Sequence, residues 1–140
     1  MVTRPILIVE DSDEDYYTLA RMLKKADVTF PLVRCVDGAN ALDYLHGTPE
    51  PHPLMMMLDL NLPGVGGREL MCRLREESRW KTLPVIIFSS SRSEKDVADS
   101  YACGANAYMT KPLGLDDFLE QMRTFKAYWL ETVILPNASL

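Results

Sequence analysis

Short apolar runs alternate along the chain with longer segments whose apolar residues recur at helical spacing. Ile6–Val9, Leu32–Val36, Leu54–Leu58, Val85–Phe88 and Ala107–Met109 read as strands. Three of them are unbroken apolar runs, the pattern of a strand covered on both faces. Between them, Ser12–Ala26 places Tyr16, Leu19, Ala20 and Leu23 on one face and predicts a first helix. Ala39–Leu45 predicts a second, and Arg68–Glu77, with Leu70, Met71 and Leu74, a third. Ser91 with Glu94 three residues on reads as the capping box of a fourth helix, which Gly104 ends in a left-handed turn. Leu115, Phe118, Leu119, Met122, Phe125, Trp129 and Leu130 mark a fifth. Five strand–helix units in this order predict an α/β fold with a doubly wound, five-stranded parallel sheet, whose ligands bind beyond the C-terminal strand ends. The one long connection, Gly47–Pro53, carries three prolines in seven residues and reads as a stiff surface loop.

Composition adds mainly exclusions. A chain of 140 residues fits one core, and 47% hydrophobic with 25% charged residues argues against disorder. Twenty Asp and Glu against 15 Lys and Arg give a net charge of −5, which argues against general affinity for nucleic acid or anionic membrane. The longest apolar runs fall far short of the ~18 residues of a membrane span, and the N-terminal residues lack the apolar stretch of a signal peptide. A cytosolic protein is expected. Cys35, Cys72 and Cys103 are odd in number and share no C-x-x-C spacing, so buried thiols are expected rather than a disulfide framework or zinc site. His46 and His52 have no spaced partner and read as solvent-facing, while Met55–Met57 read as strand core.

The chemistry lies just past the apolar runs. Glu10 and Asp11 follow the first, Asp59 the third, Ser89 the fourth and Lys111 the fifth, so all converge on one crevice. Acids at the first helix start could be caps favoured by the macrodipole. Asp59, however, ends a run that reads as a buried central strand, where an unpaired carboxylate costs several kcal/mol in rough terms. Clustered carboxylates repel one another unless protonated or neutralised by a cation. Asp11 and Asp59, with the Asn61 carbonyl and waters, would form the incomplete oxygen shell that Mg²⁺ prefers, leaving Lys111 and Ser89 to hold two further oxygens of a phosphoryl group.

These residues resemble the response-regulator receiver domain, the phosphoacceptor half of two-component signalling. The likeness covers Ile6 to about Lys126 through Ile-Leu-Ile-Val-Glu-Asp at 6–11, Leu-Asp-Leu-Asn-Leu-Pro-Gly at 58–64, Pro-Val-Ile-Ile-Phe-Ser at 84–89 and Gly-Ala-Asn-Ala-Tyr-Met-Thr-Lys-Pro at 104–112. It implies the flavodoxin-like, CheY-like (βα)5 fold and no enzymatic output. It also implies that Asp59 is the phosphoacceptor, that Glu10, Asp11, Asp59 and the Asn61 carbonyl form the Mg²⁺ site, and that Lys111 contacts the phosphate. Ser89 and Tyr108 become the switch pair, and the bond before Pro112 is expected to be cis. Glu10 stands where Asp is commoner, and Ser89 where Thr is commoner.

Beyond the likeness, residues 127–140 read as an extension of the last helix and an apolar tail, set apart from a receiver domain over 1–126. With the Pro-rich loop, this tail resembles single-domain receivers paired with bacterial, especially cyanobacterial, phytochrome histidine kinases, which implies a sensor histidine kinase of that type as partner. Phe125, Trp129, Leu130, Val133 and Ile134 continue the apolar stripe, and a homodimer built on them is expected. A dehalogenase-type phosphatase would need D-x-D-x-T, and Asp59-Leu60-Asn61-Leu62-Pro63 lacks its second Asp and its Thr. A dinucleotide binder is opposed by the acids at 10–15, which would repel phosphate. The remaining alternative is a receiver-like interaction module that is never phosphorylated.

Overall fold

The structure, a computed structural model, describes residues 3–136. Five strands, β1 (Ile6–Val9), β2 (Leu32–Cys35), β3 (Met55–Leu58), β4 (Val85–Ser89) and β5 (Ala107–Thr110), alternate with five helices. These are α1 (Asp13–Lys25), α2 (Gly38–His46), α3 (Gly67–Arg75), α4 (Glu94–Ala102) and α5 (Leu115–Phe125). All strand pairs are parallel, in the order β2-β1-β3-β4-β5 of the flavodoxin-like sheet. The apolar runs β1, β3 and β4 occupy the buried centre, whereas β2 and β5 are the half-buried edges.

Side-chain alternation divides the core into two layers. Leu7, Val9, Met56, Leu58, Val85 and Ile87 pack with Leu45 of α2 and Leu70, Met71 and Leu74 of α3. Ile6, Ile8, Met55, Met57, Ile86 and Phe88 pack with Leu19, Met22 and Leu23 of α1 and Phe118, Met122 and Phe125 of α5. Each such side chain contributes roughly 1.5–3 kcal/mol of burial. At Gly67 a Cβ would meet the backbone of Asp59 and Leu60, so glycine lets α3 start against the end of β3.

Several expectations are corrected. Helix α4 is capped by Ser93, whose hydroxyl accepts from Asp96 N at 3.3 Å, and not by Ser91, whose own N donates to Ser89 Oγ. Ser93 with Asp96 has the same cap spacing two residues later. Gly104 does close the helix with a φ of +101°. Cys72 and Cys103 are not free thiols but are joined in a disulfide, with Cα atoms 5.2 Å apart, because α3 and the end of α4 are spatial neighbours although 31 residues apart. Cys35 is the buried free thiol. His52 is buried, with Nε2 2.6 Å from an Arg79 guanidinium nitrogen, whereas exposed His46 pairs with Glu77 at 2.8 Å. Among the described residues the cis peptide bond is Glu50–Pro51 and not Lys111–Pro112. Lys111 is instead aimed by the sheet, its N donating to Ser89 O at 2.9 Å.

The tail also departs from a free apolar stripe. Phe125 is 2% exposed and belongs to the α1/α5 core, so it offers no contact surface. Lys126–Thr132 widen into a π-helical segment that lays Trp129 and Leu130, both half-buried, on that same core. Val133 is half-buried as well, while Ile134 is 99% exposed.

Candidate functional site

Glu10, Asp11, Asp59, Asn61, Ser89 and Lys111 stand at the C-terminal edge of the sheet, while Tyr108 lies within β5. Glu10 N donates to Cys35 O and Asp59 N to Val9 O, so the ladders that build β1 and β3 run on into the residues carrying the acids. Asp11 sits on the next residue and is exposed, ahead of Ser12, whose hydroxyl caps α1. Glu10 is 4% exposed, Asp59 6% and Ser89 0%.

Lys111 Nζ closes the group, donating to Glu10 Oε1 at 2.7 Å, Asp59 Oδ2 at 3.0 Å and Asp15 Oδ2 at 2.9 Å. The second carboxylate oxygens of Asp59 and Glu10 are met by backbone, Asp59 Oδ1 accepting from Asn61 N at 3.1 Å and Glu10 Oε2 from Ser12 N at 3.2 Å. Two residues that sequence reasoning missed complete the frame. Asp15 lies one turn into α1 from Asp11, so its helical spacing could have revealed it. Arg34, a lone cation in β2, donates to Glu10 O at 3.1 Å, pairs with Asp13 at 2.7 Å and lies over the Tyr16 ring.

One ammonium faces an excess of negative charge. Oxygens of Glu10, Asp11 and Asp59 all lie within 4.8 Å of one another. At an effective dielectric of about 20, two such charges repel by about 3 kcal/mol. Burial, assisted by the Asp59 charge and opposed by the Lys111 bond, pushes Glu10 up to about 7, while the carboxylates hold Lys111 above its ordinary value despite its burial. Three clustered hard oxygens with uncompensated charge fit a small divalent cation of the Mg²⁺ type. Beside them, Ser89 Oγ accepts from Ser91 N at 3.2 Å and the Tyr108 hydroxyl donates to Ser91 O at 2.9 Å, so both switch candidates meet on the β4–α4 loop.

The pattern of the response regulator receiver domain matches residues 6–123. The chain belongs to that family. This receiver is 36% identical over 137 residues to the response regulator Rcp1 of Synechocystis, with 95% of this chain and 93% of Rcp1 covered. A crystal structure of the Mn²⁺-bound form of Rcp1 superposes with a TM-score of 0.86 at 35% identity, over 96% of this chain and 99% of that one. The phosphorylated cyanobacterial phytochrome response regulator RcpA matches with a TM-score of 0.89 at 30% identity, over 97% and 100% of the two chains. The receiver is thus homologous to phytochrome response regulators and works by phosphorylation-based two-component signalling. Among its described residues, no helix is long and apolar enough to cross a membrane.

Proposed function

We propose that this receiver takes a phosphoryl group on Asp59 from the phosphohistidine of a bacterial phytochrome kinase in the cytoplasm, and passes the signal on by protein contact rather than by catalysis. The observation that carries this reading is the Asp59 carboxylate, buried at a strand end, fixed by Asn61 N and Lys111 Nζ and flanked by Glu10 and Asp11. The similarity to Rcp1 and RcpA supports the choice of kinase. An Asp59 oxygen attacks phosphorus, the phosphorus–nitrogen bond of the donor breaks and an acyl phosphate forms. Glu10, Asp11, Asp59 and the Asn61 carbonyl would hold Mg²⁺, which supplies charge neutralisation between two approaching anions. Lys111 then pairs with the phosphoryl oxygens. Ser89 gives up its contact with Ser91 N to bond the phosphoryl group, and Tyr108 turns in behind it. Asp59→Asn should take up no label from a phosphohistidine or small phosphodonor, and labelling at the parental rate would overturn the assignment.

The receiver is proposed to comprise residues 1–126, with 127–140 as an appended clamp for a second copy. With Phe125, Trp129 and Leu130 drawn toward the core, exposed Tyr128 and Ile134 carry this proposal. Sedimentation should show a dimer for the full chain and a monomer after truncation at Phe125. A monomer in both cases would dismiss the clamp.

A further inference from the structure

We propose that Cys72 and Cys103 form a reversible redox couple that, when oxidised, locks the C-terminal end of α4 to α3. The chemistry of the pair stands by itself, while its consequence for signalling rests on the receiver reading above.

Three observations carry the proposal. The Cα separation of 5.2 Å lies inside the roughly 4.4–6.8 Å window of a disulfide, so the bond forms on the existing backbone. Both cysteines are half-buried and open to exchange reagents, whereas Cys35 is enclosed and burial pushes its thiol up to about 11. Finally, α4 is the helix that the core holds least. Its buried residue is Ser100, whose hydroxyl donates back to Asp96 O within the same helix. Elements with so little burial open locally at low free energy.

The two ends of α4 are tied differently. The loop before it leads to the site, through Ser89, Ser91 and the hydroxyl of Ser91 on Asp96. Its last turn leads to α3, where Arg75 already donates to Gly104 O at 2.8 and 3.1 Å. Neither cysteine is among the fully buried members of the two core layers, Cys103 only packing on the margin of the α2/α3 layer, so the bond adds a tether on α4 rather than a staple for the fold. In the cytoplasmic setting proposed above, disulfides are chiefly transient and redox-sensing.

The oxidant is a low-molecular-weight disulfide such as glutathione disulfide. One cysteine thiolate attacks it, forming a mixed disulfide and releasing one thiol, and the second thiolate displaces the other. The two electrons and two protons of the cysteine thiols end on two glutathione thiols, and excess glutathione reverses the exchange.

The full chain, equilibrated in oxidising and in reducing glutathione buffers, should differ in two readouts. Alkylation and mass mapping should find Cys72 and Cys103 blocked in the first and labelled in the second, with Cys35 labelled only after denaturation. Amide exchange across 94–102 should be about tenfold slower in the oxidised protein, and its response to acetyl phosphate smaller. The Cys72→Ser/Cys103→Ser variant should match the reduced protein in both buffers. The lock is overturned if both thiols label in the oxidising buffer, if α4 exchanges equally in both states, or if reduction unfolds the wild-type chain. Absence of phosphoryl label in both states, with the exchange difference intact, would support the lock and sink the assignment of Asp59 as phosphoacceptor instead.

Discussion

Glu10 shows how one buried side chain ties the site to solution conditions. Its folded value of about 7 lies above the ordinary 4.5, so the folded protein holds a proton that the unfolded chain has released between those values. Stability without divalent cation should therefore be highest below about pH 4.5 as far as this group decides, and fall as pH rises through 7, by about 1–3 kcal/mol. Lys111, raised above an ordinary 10.5, stays charged throughout this window and adds no slope to it. Thermal melts in chelator between pH 5 and 8 should show the slope, and Glu10→Gln should flatten it while leaving the protein at least as stable at pH 8. A slope unchanged in the variant would place the proton elsewhere. Glu10, Asp11, Asp59, Ser89 and Lys111 were legible in the sequence because each ends or follows an apolar run. Asp15 was missed although its spacing places it one turn from Asp11, because only the reach of Lys111 across to α1 brings it into the site.

Among the elements, the junction of α3 with the turn after α4 depends on one guanidinium. Arg75 donates to Gly104 O and Lys81 O, which no backbone N–H reaches among the described residues, and shares Asn106 Oδ1 with Val85 N and Trp80 O with Leu83 N. Arg75→Ala should cost about 2–4 kcal/mol by stranding Gly104 O and Lys81 O. Arg75→Lys should recover little, because an ammonium lacks the planar fork. Urea midpoints at unchanged slope would measure both, and a loss below about 0.5 kcal/mol would show that water replaces the guanidinium. This junction also marks where sequence reading stopped. The strands and four of the helices follow from local periodicity, yet Ser93 and not Ser91 caps α4, because the Ser91 hydroxyl is engaged by the Asp96 carboxylate and by Ser93 N. The Cys72–Cys103 bond and the return of Trp129 to the α1/α5 layer are long-range, and neither cysteine spacing nor an apolar stripe says which surface lies opposite.

At the scale of the whole molecule, phosphorylation at one strand end must be felt unequally by the two layers. Tyr108 packs on the α2/α3 side, whereas its neighbours Ala107 and Met109 face the α1/α5 side. A switch that moves Tyr108 therefore repacks the first layer and leaves the second in place. The methionines of β3 are distributed across that division, Met56 on the α2/α3 side and Met55 and Met57 on the other, all of them buried. Each carries a terminal Cε methyl group beyond its Sδ that rotates freely and gives a sharp carbon-13 resonance even in a packed interior. A protein enriched at those methyls would thus contain three reporters of its own, one on the α2/α3 side and two on the other, all within a few residues of the phosphoacceptor. On phosphorylation the Met56 and Met71 signals should shift while those of Met57, Met22 and Met122 hold still, and equal shifts on both sides would show that the sheet itself twists. Unlabelled partner kinase could then be titrated in, and the same spectrum would tell contact from switching.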